Sequence, residues 1–135
     1  MGGELVGLEL AEFLNERGRQ VVVVDDAPRL GAGLTIVRRM RLLAELKEHG
    51  VQLYPASSAI RIERDAVRFI DKGGAEQAAA ADHVIVAKGA TGDLTLADQL
   101  QAQGFTVHVL GDAKGVGYIE GAMRGAAQAV EAIAG

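Results

Sequence analysis

The chain has 135 residues, the length of one modest domain, and its 49% hydrophobic content is enough for a real core, which excludes wholesale disorder. Its 18 acidic against 14 basic residues give a net charge of −4, which disfavours nucleic acid or an anionic membrane as the main partner. The cysteine count of 0 removes disulfides, a redox cysteine pair and a thiolate-held iron–sulfur cluster from these residues; with no long apolar run and no basic-then-apolar leader, the cytoplasm is the expected location.

The chain opens on Met1-Gly2-Gly3-Glu4-Leu5-Val6-Gly7-Leu8-Glu9-Leu10-Ala11, a glycine turn leading into an apolar-striped helix. Leu5, Leu8, Leu10, Ala11, Phe13 and Leu14 recur at helical spacing, and Gly18 supplies the stop. Gln20 to Asp25 is a β-branched run ending on a carboxylate, the pattern of a parallel strand covered on both faces. Together these make most of a dinucleotide-binding βαβ unit. A pyrophosphate needs backbone N–H donors at a helix N-terminus and a turn that lets backbone approach it closely. Gly2 and Gly7 fit the first and third glycines of G-x-G-x-x-G, and Glu4 stands where the middle glycine belongs. A side chain there crowds the phosphates and, ionised, opposes their charge unless the turn aims it at solvent. Asp25 sits at the distance expected of a carboxylate accepting the adenosine ribose hydroxyls, and it would repel a 2′-phosphate, which favours NAD over NADP. The fingerprint also calls for a buried strand feeding the first glycine. Only Met1 stands there, so the first central strand is expected to be missing from the sheet.

Asp26 to Gly33 reads as a loop with Pro28, Gly31 and Gly33. A second helix is predicted over about Thr35 to Glu48, with Ile36, Met40, Leu43 and Leu46 inward and Arg38, Arg39 and Arg41 outward or at the flanks. Val51 to Tyr54 is a short strand. Ala59 to Arg64 and Ala66 to Ile70 alternate apolar and charged residues, and Lys72-Gly73-Gly74 makes a hairpin turn, which together predict an antiparallel meander used as a crossover. The alanines from Ala78 to Ala81 fit either helix or strand. His83 to Ala87 returns to a parallel strand and opens into Lys88-Gly89-Ala90-Thr91-Gly92. Leu94 to Gln103 is a short helix, Phe105 to Leu110 the last strand before Gly111-Asp112, and Ile119 to Ala134 the final helix. His49, His83 and His108 lack metal-ligand spacing and read as structural, and the arginine cluster reads first as a solvated helix face. No Ser-His-Asp arrangement or paired-carboxylate spacing is present. The fold class is therefore α/β: a Rossmann-like three-layer parallel sheet lacking its first central strand, with a small antiparallel meander as crossover.

Three motifs in order carry a resemblance. The segment Gly2 to Phe13, then Gly111-Asp112, then Gly117-Tyr118-Ile119-Glu120-Gly121-Ala122 resemble the C-terminal half of two-dinucleotide-binding flavoproteins. More closely they resemble the NADH:flavin oxidoreductase family that includes 2,4-dienoyl-CoA reductase and trimethylamine dehydrogenase. The resemblance implies residues 1–86 as an NAD(P)-binding module and 87–135 as the returning end of an FAD-binding domain. It implies that Gly2, Gly3 and Gly7 line the NAD pyrophosphate, that Glu9 lies near the nicotinamide side of the helix start and that Asp25 holds the ribose. Gly89 joins the cofactor-contacting set, and Gly111-Asp112 meets the flavin ribityl chain. Lys88 departs from that pattern, placing a long cation where a threonine is usual. NAD(P)H and FAD are the implied cofactors. The barrel, the cluster and the FAD adenosine-binding half are not in the sequence, so FAD is not expected to stay on this chain alone. The implied function is that of a C-terminal fragment of an FAD-dependent NAD(P)H oxidoreductase, with no general acid or base of its own. Two alternatives stand beside it: a nucleotide-binding module completed by a partner chain that supplies the missing strand and flavin domain, and a truncated product without function.

Overall fold

Three valines too few for a helix and too apolar for a loop, Val22–Val24, form strand β1 in the computed structural model, which describes residues 1–134. The chain divides into two compact units, Met1–Gly89 and a second that starts at Ala90.

In the first unit, helix α1 (Leu5–Asn15) precedes β1, and helix α2 (Ile36–Glu48) connects it to β2 (Gln52–Tyr54). The two strands pair in parallel, Val22 opposite Gln52 and Val24 opposite Tyr54, as a helical crossover requires. Leu8, Ala11, Val23, Leu30, Leu42, Leu46 and Val51 are buried between the helices and one face of this pair. The other face is covered by β3 (Ser58–Ile62), β4 (Ala66–Ile70) and β5 (Glu76–Ala80), an antiparallel sheet in sequential order. Val24, Val67 and Phe69 are buried at that junction, and the Phe69 ring meets Tyr54 edge-on, with centroids 4.8 Å apart. Burying a phenylalanine is worth roughly 2–3 kcal/mol, so this pair is the main anchor of the meander. The predicted hairpin turn is closed by Asp71, whose N–H donates to Ala75 O at 2.9 Å. The alanine run resolves into β5, because Ala78, Ala79 and Ala80 each pair across to β4.

Three expectations are corrected. Ile36 and Met40, predicted inward, are 71% and 66% exposed. Helix α2 carries two apolar stripes, and the one through Leu42 and Leu46 faces the core. The rotation is fixed by polar anchors: Arg38 bonds Glu12 at 2.6 Å and Arg39 Nε donates to Leu30 O at 2.5 Å. His83 to Ala87 forms no strand. Among the described residues its hydrogen bonds are to Met1 alone: the Met1 nitrogen donates to Ile85 O (2.5 Å), and Ala87 N–H donates to Met1 O (2.7 Å). On its other side Gly2 N–H donates to Val24 O (3.0 Å). That is a parallel ladder one residue long, since a strand exists only where its neighbours pair with it. Phe105 to Leu110 likewise forms no strand; Phe105 and Leu110 are exposed.

The second unit consists of helix α3 (Thr95–Ala102), a 3₁₀ turn at Gly111–Ala113 and helix α4 (Tyr118–Ala134). Asp93 starts α3 by accepting the Thr95 N–H at 2.8 Å. Among the described residues of this unit only Ala129 is buried, and Ile119, Met123, Val130 and Ile133 lie exposed along α4. The architecture is Rossmann-like α/β, a parallel pair under two helices with a three-stranded antiparallel sheet on its other face.

Candidate nucleotide site

The first unit brings five of the predicted residues together: Gly2, Gly3, Gly7, Asp25 and Gly89. Gly2 has φ +103°, and a Cβ there would collide with the Ala87 carbonyl. A Cβ on Gly7 would collide with the carbonyl of Gly2. Backbone thus meets backbone on both sides of the turn, which only glycine permits, and α1 is seated tightly on the sheet edge. In the first turn of α1 the N–H groups of Val6 and Gly7 reach no acceptor among the described residues. They are oriented donors at the positive end of a helix dipole. Leu5 N–H is already taken by Ala32 O at 2.9 Å, and Gly31 N–H donates to Gly3 O at 2.6 Å, so the Leu30–Ala32 loop is stitched onto the turn.

Asp25 follows β1 directly and is 2% exposed. Its Oδ2 accepts the Gly3 N–H; its Oδ1 accepts the Ala27 N–H at 2.9 Å and the Lys88 ammonium at 3.1 Å. Burial pushes its pKa up, but the Ala27 and Gly3 amides, the neighbouring Asp26 and Lys88 together outweigh it and leave the pKa lowered to about 2. Asp25 is therefore ionised, and it ties the glycine turn, the strand end and residue 88 together. Lys88 also bonds the exposed Asp26, whose carboxylate is the main reason its own pKa is raised.

Glu4 is exposed, and its Oε2 stands 3.8 Å from where a Cβ on Gly89 would be. Its charge leans across the mouth between the start of α1 and Gly89. Glu9 lies exposed one turn along α1, where its charge acts on Arg38. Gly111 and Asp112 belong to the second unit, in the 3₁₀ turn, and Asp112 Oδ1 accepts the Gly117 N–H at 3.0 Å. Arg38, Arg39 and Arg41 are all committed within the protein, to Glu12, Leu30 O and Glu45. Sequence reasoning assigned no role to Asp26, and noted Lys88 as a departure without seeing its partners. The only sequence signal was the cation itself, and its partners follow from sheet order, since 63 residues separate Lys88 from Asp25.

A glycine turn against a parallel sheet edge, first-turn amides without an acceptor among the described residues and an ionised carboxylate after the strand are the elements of a Rossmann-like α/β fold. Residues 1–116 match the pyridine nucleotide-disulphide oxidoreductase family, and the chain belongs to it. Members of that family use FAD and NAD(P)H. Dihydrolipoyl dehydrogenase of Pseudomonas aeruginosa is 35% identical over 89 residues, 66% of this chain and 19% of that protein. NADH oxidase of Thermoanaerobacter brockii is 28% identical over 121 residues, 88% of this chain and 18% of that protein. A 2-naphthoyl-CoA reductase structure superposes with a TM-score of 0.80 at 24% identity, covering 90% of this chain and 19% of that one, which shows the shared fold. The chain spans about a fifth of the length of the curated relatives it matches. With a cysteine count of 0, these residues supply no redox disulfide. No helix among the described residues is long and apolar enough to cross a membrane.

Proposed function

We propose that this chain is the pyridine-nucleotide part of a flavin-dependent NAD(P)H oxidoreductase of the NADH:flavin oxidoreductase type. Residues 1–86 serve as the NAD(P)-binding module, and residues 87–135 as the returning end of an FAD-binding domain. The observation that carries the reading is the Gly2–Gly7 turn, closed so tightly on Ala87 that no Cβ fits, with the Val6 and Gly7 amides left open. The residues present bear on a dinucleotide as follows: the first turn of α1 supplies donors at Val6 and Gly7, Asp25 is an ionised acceptor for ribose hydroxyls, and Gly2 and Gly3, buried against Ala87 and Leu30, shape the turn that presents those donors. Glu4 works against that fit by placing a negative charge at the mouth. When bound, the nicotinamide supplies a hydride and the flavin accepts it; the chain's own task is to orient the one toward the other. Gly89, Gly111 and Asp112 belong to the flavin-facing set, and Glu9 to the nicotinamide side of α1.

A second reading is favoured by the sheet edge. Among the described residues, β1 is hydrogen-bonded on the edge away from β2 only at its end, by Gly2, and His83 to Ala87 is hydrogen-bonded only to Met1. Unpaired backbone groups in such a slot cost about 1–3 kcal/mol each when buried, so a strand supplied by a partner chain would complete a nucleotide-binding module without catalysis of its own. Titrating the purified chain with NADH while following nicotinamide fluorescence tests the core of both readings. Saturable enhancement is the expected result; no change at millimolar NADH overturns nucleotide binding by this chain.

A further inference from the structure

We infer that Lys88 sets the nucleotide preference of this site, turning it from the ribose diol of NADH toward the 2′-phosphate of NADPH; the inference rests on the nucleotide-binding reading above. The argument starts from the acceptor count of Asp25. A carboxylate offers about four acceptor positions. In Asp25 three are filled, by the Gly3 and Ala27 N–H groups and by the Lys88 ammonium. In a dinucleotide fold the ribose donates to this carboxylate, and the Asp25 side chain is only 2% exposed, with the Lys88 ammonium on its Oδ1. One position remains, and the Gly3 and Ala27 amides, in the glycine turn and in the loop after β1, cannot leave without opening those segments. Only Lys88 can yield, so it competes directly with the diol.

Lys88 is also placed to reward a phosphate. Its side chain is 40% exposed, and it lies between the buried Asp25 and the 65% exposed Asp26. Its ammonium neutralises the carboxylate that would otherwise repel a 2′-phosphate. A dianionic phosphate is a stronger partner for an ammonium than a solvated carboxylate, so exchanging Asp26 for the ligand keeps the cation paired. Asp26 is the opposing charge, and it is exposed enough to be screened by solvent.

The test compares dissociation constants of NADH and NADPH, measured by titration calorimetry or nicotinamide fluorescence, for the full chain and its Lys88→Met and Lys88→Arg variants. Thermal unfolding confirms that each is folded. In Lys88→Met the expected changes have opposite signs: tighter NADH and weaker NADPH, moving the ratio by about tenfold or more. Lys88→Arg is expected to keep the wild-type ratio. A merely structural role would move both constants the same way. Binding of both nucleotides with an unchanged ratio in Lys88→Met overturns the inference alone. Failure of all three proteins to bind either nucleotide overturns the nucleotide reading and the inference with it.

Discussion

Asp25→Asn probes the junction on which the first unit depends, because it removes one charge and one acceptor at nearly constant volume. Asparagine presents one oxygen and one NH₂. Whichever way the amide turns, the NH₂ faces either Gly3 N–H or the Ala27 N–H and Lys88 pair. A buried donor left without an acceptor costs about 1–3 kcal/mol, and the bonds that survive lose the extra strength of a charged acceptor. Lys88 adds little to this, because its side chain is 40% exposed and the pair is screened. A total loss of roughly 3 kcal/mol is expected, a large part of the 5–15 kcal/mol typical of a domain. Urea unfolding followed by far-ultraviolet circular dichroism at pH 7 measures it as a lower midpoint at unchanged slope. A loss below about 1 kcal/mol would refute the claim that the Asp25 carboxylate holds the glycine turn to the strand.

Three further outcomes are expected. The lowered pKa of Asp25, about 2 against about 3.9 unfolded, gives stability that is complete above roughly pH 4 and is lost as pH falls toward 2. Unfolding free energies of wild type and Asp25→Asn, measured by urea unfolding across that window, should therefore converge by about 2 kcal/mol, and a constant gap would contradict the linkage. Glu4→Gln removes the charge leaning over the turn and should tighten NADH binding by about threefold, the effect fading with added salt; unchanged affinity at low salt would place Glu4 away from the ligand. Met40→Lys, on the exposed stripe of α2, should change unfolding free energy by less than about 0.5 kcal/mol, whereas several kcal/mol would show that this stripe is covered after all.

What could be read directly from the sequence was whatever one segment decides for itself. The valine run can only be a strand, the glycine turn with its apolar helix can only begin one way, and the charged alternation around Arg68 is a half-solvated sheet. The face of α2 could not be read, because apolar residues stand on both sides of it, Ile36, Val37 and Met40 exposed and Leu42 and Leu46 buried, and Arg38 and Arg39 choose between them through partners in α1 and the Leu30 loop. Ladder formation at His83 to Ala87 was equally hidden, since a β-branched composition provides a strand only when a neighbour is there to pair with it. At the site, spacing located Asp25 correctly after its strand. That its acceptor positions are largely filled by Gly3, Ala27 and Lys88 depends on how the turn folds back, and on residue 88 arriving from a distant part of the chain.

Amide chemical-shift mapping of the labelled chain on addition of NADH and of NADPH tests the nucleotide cradle most directly. Shifts concentrated at Gly2 to Leu8, Asp25 to Ala27 and Lys88-Gly89 are the expected result. Shifts confined to the groove between α1 and α2, or to the second unit, with the glycine turn unmoved at saturating ligand, would contradict it.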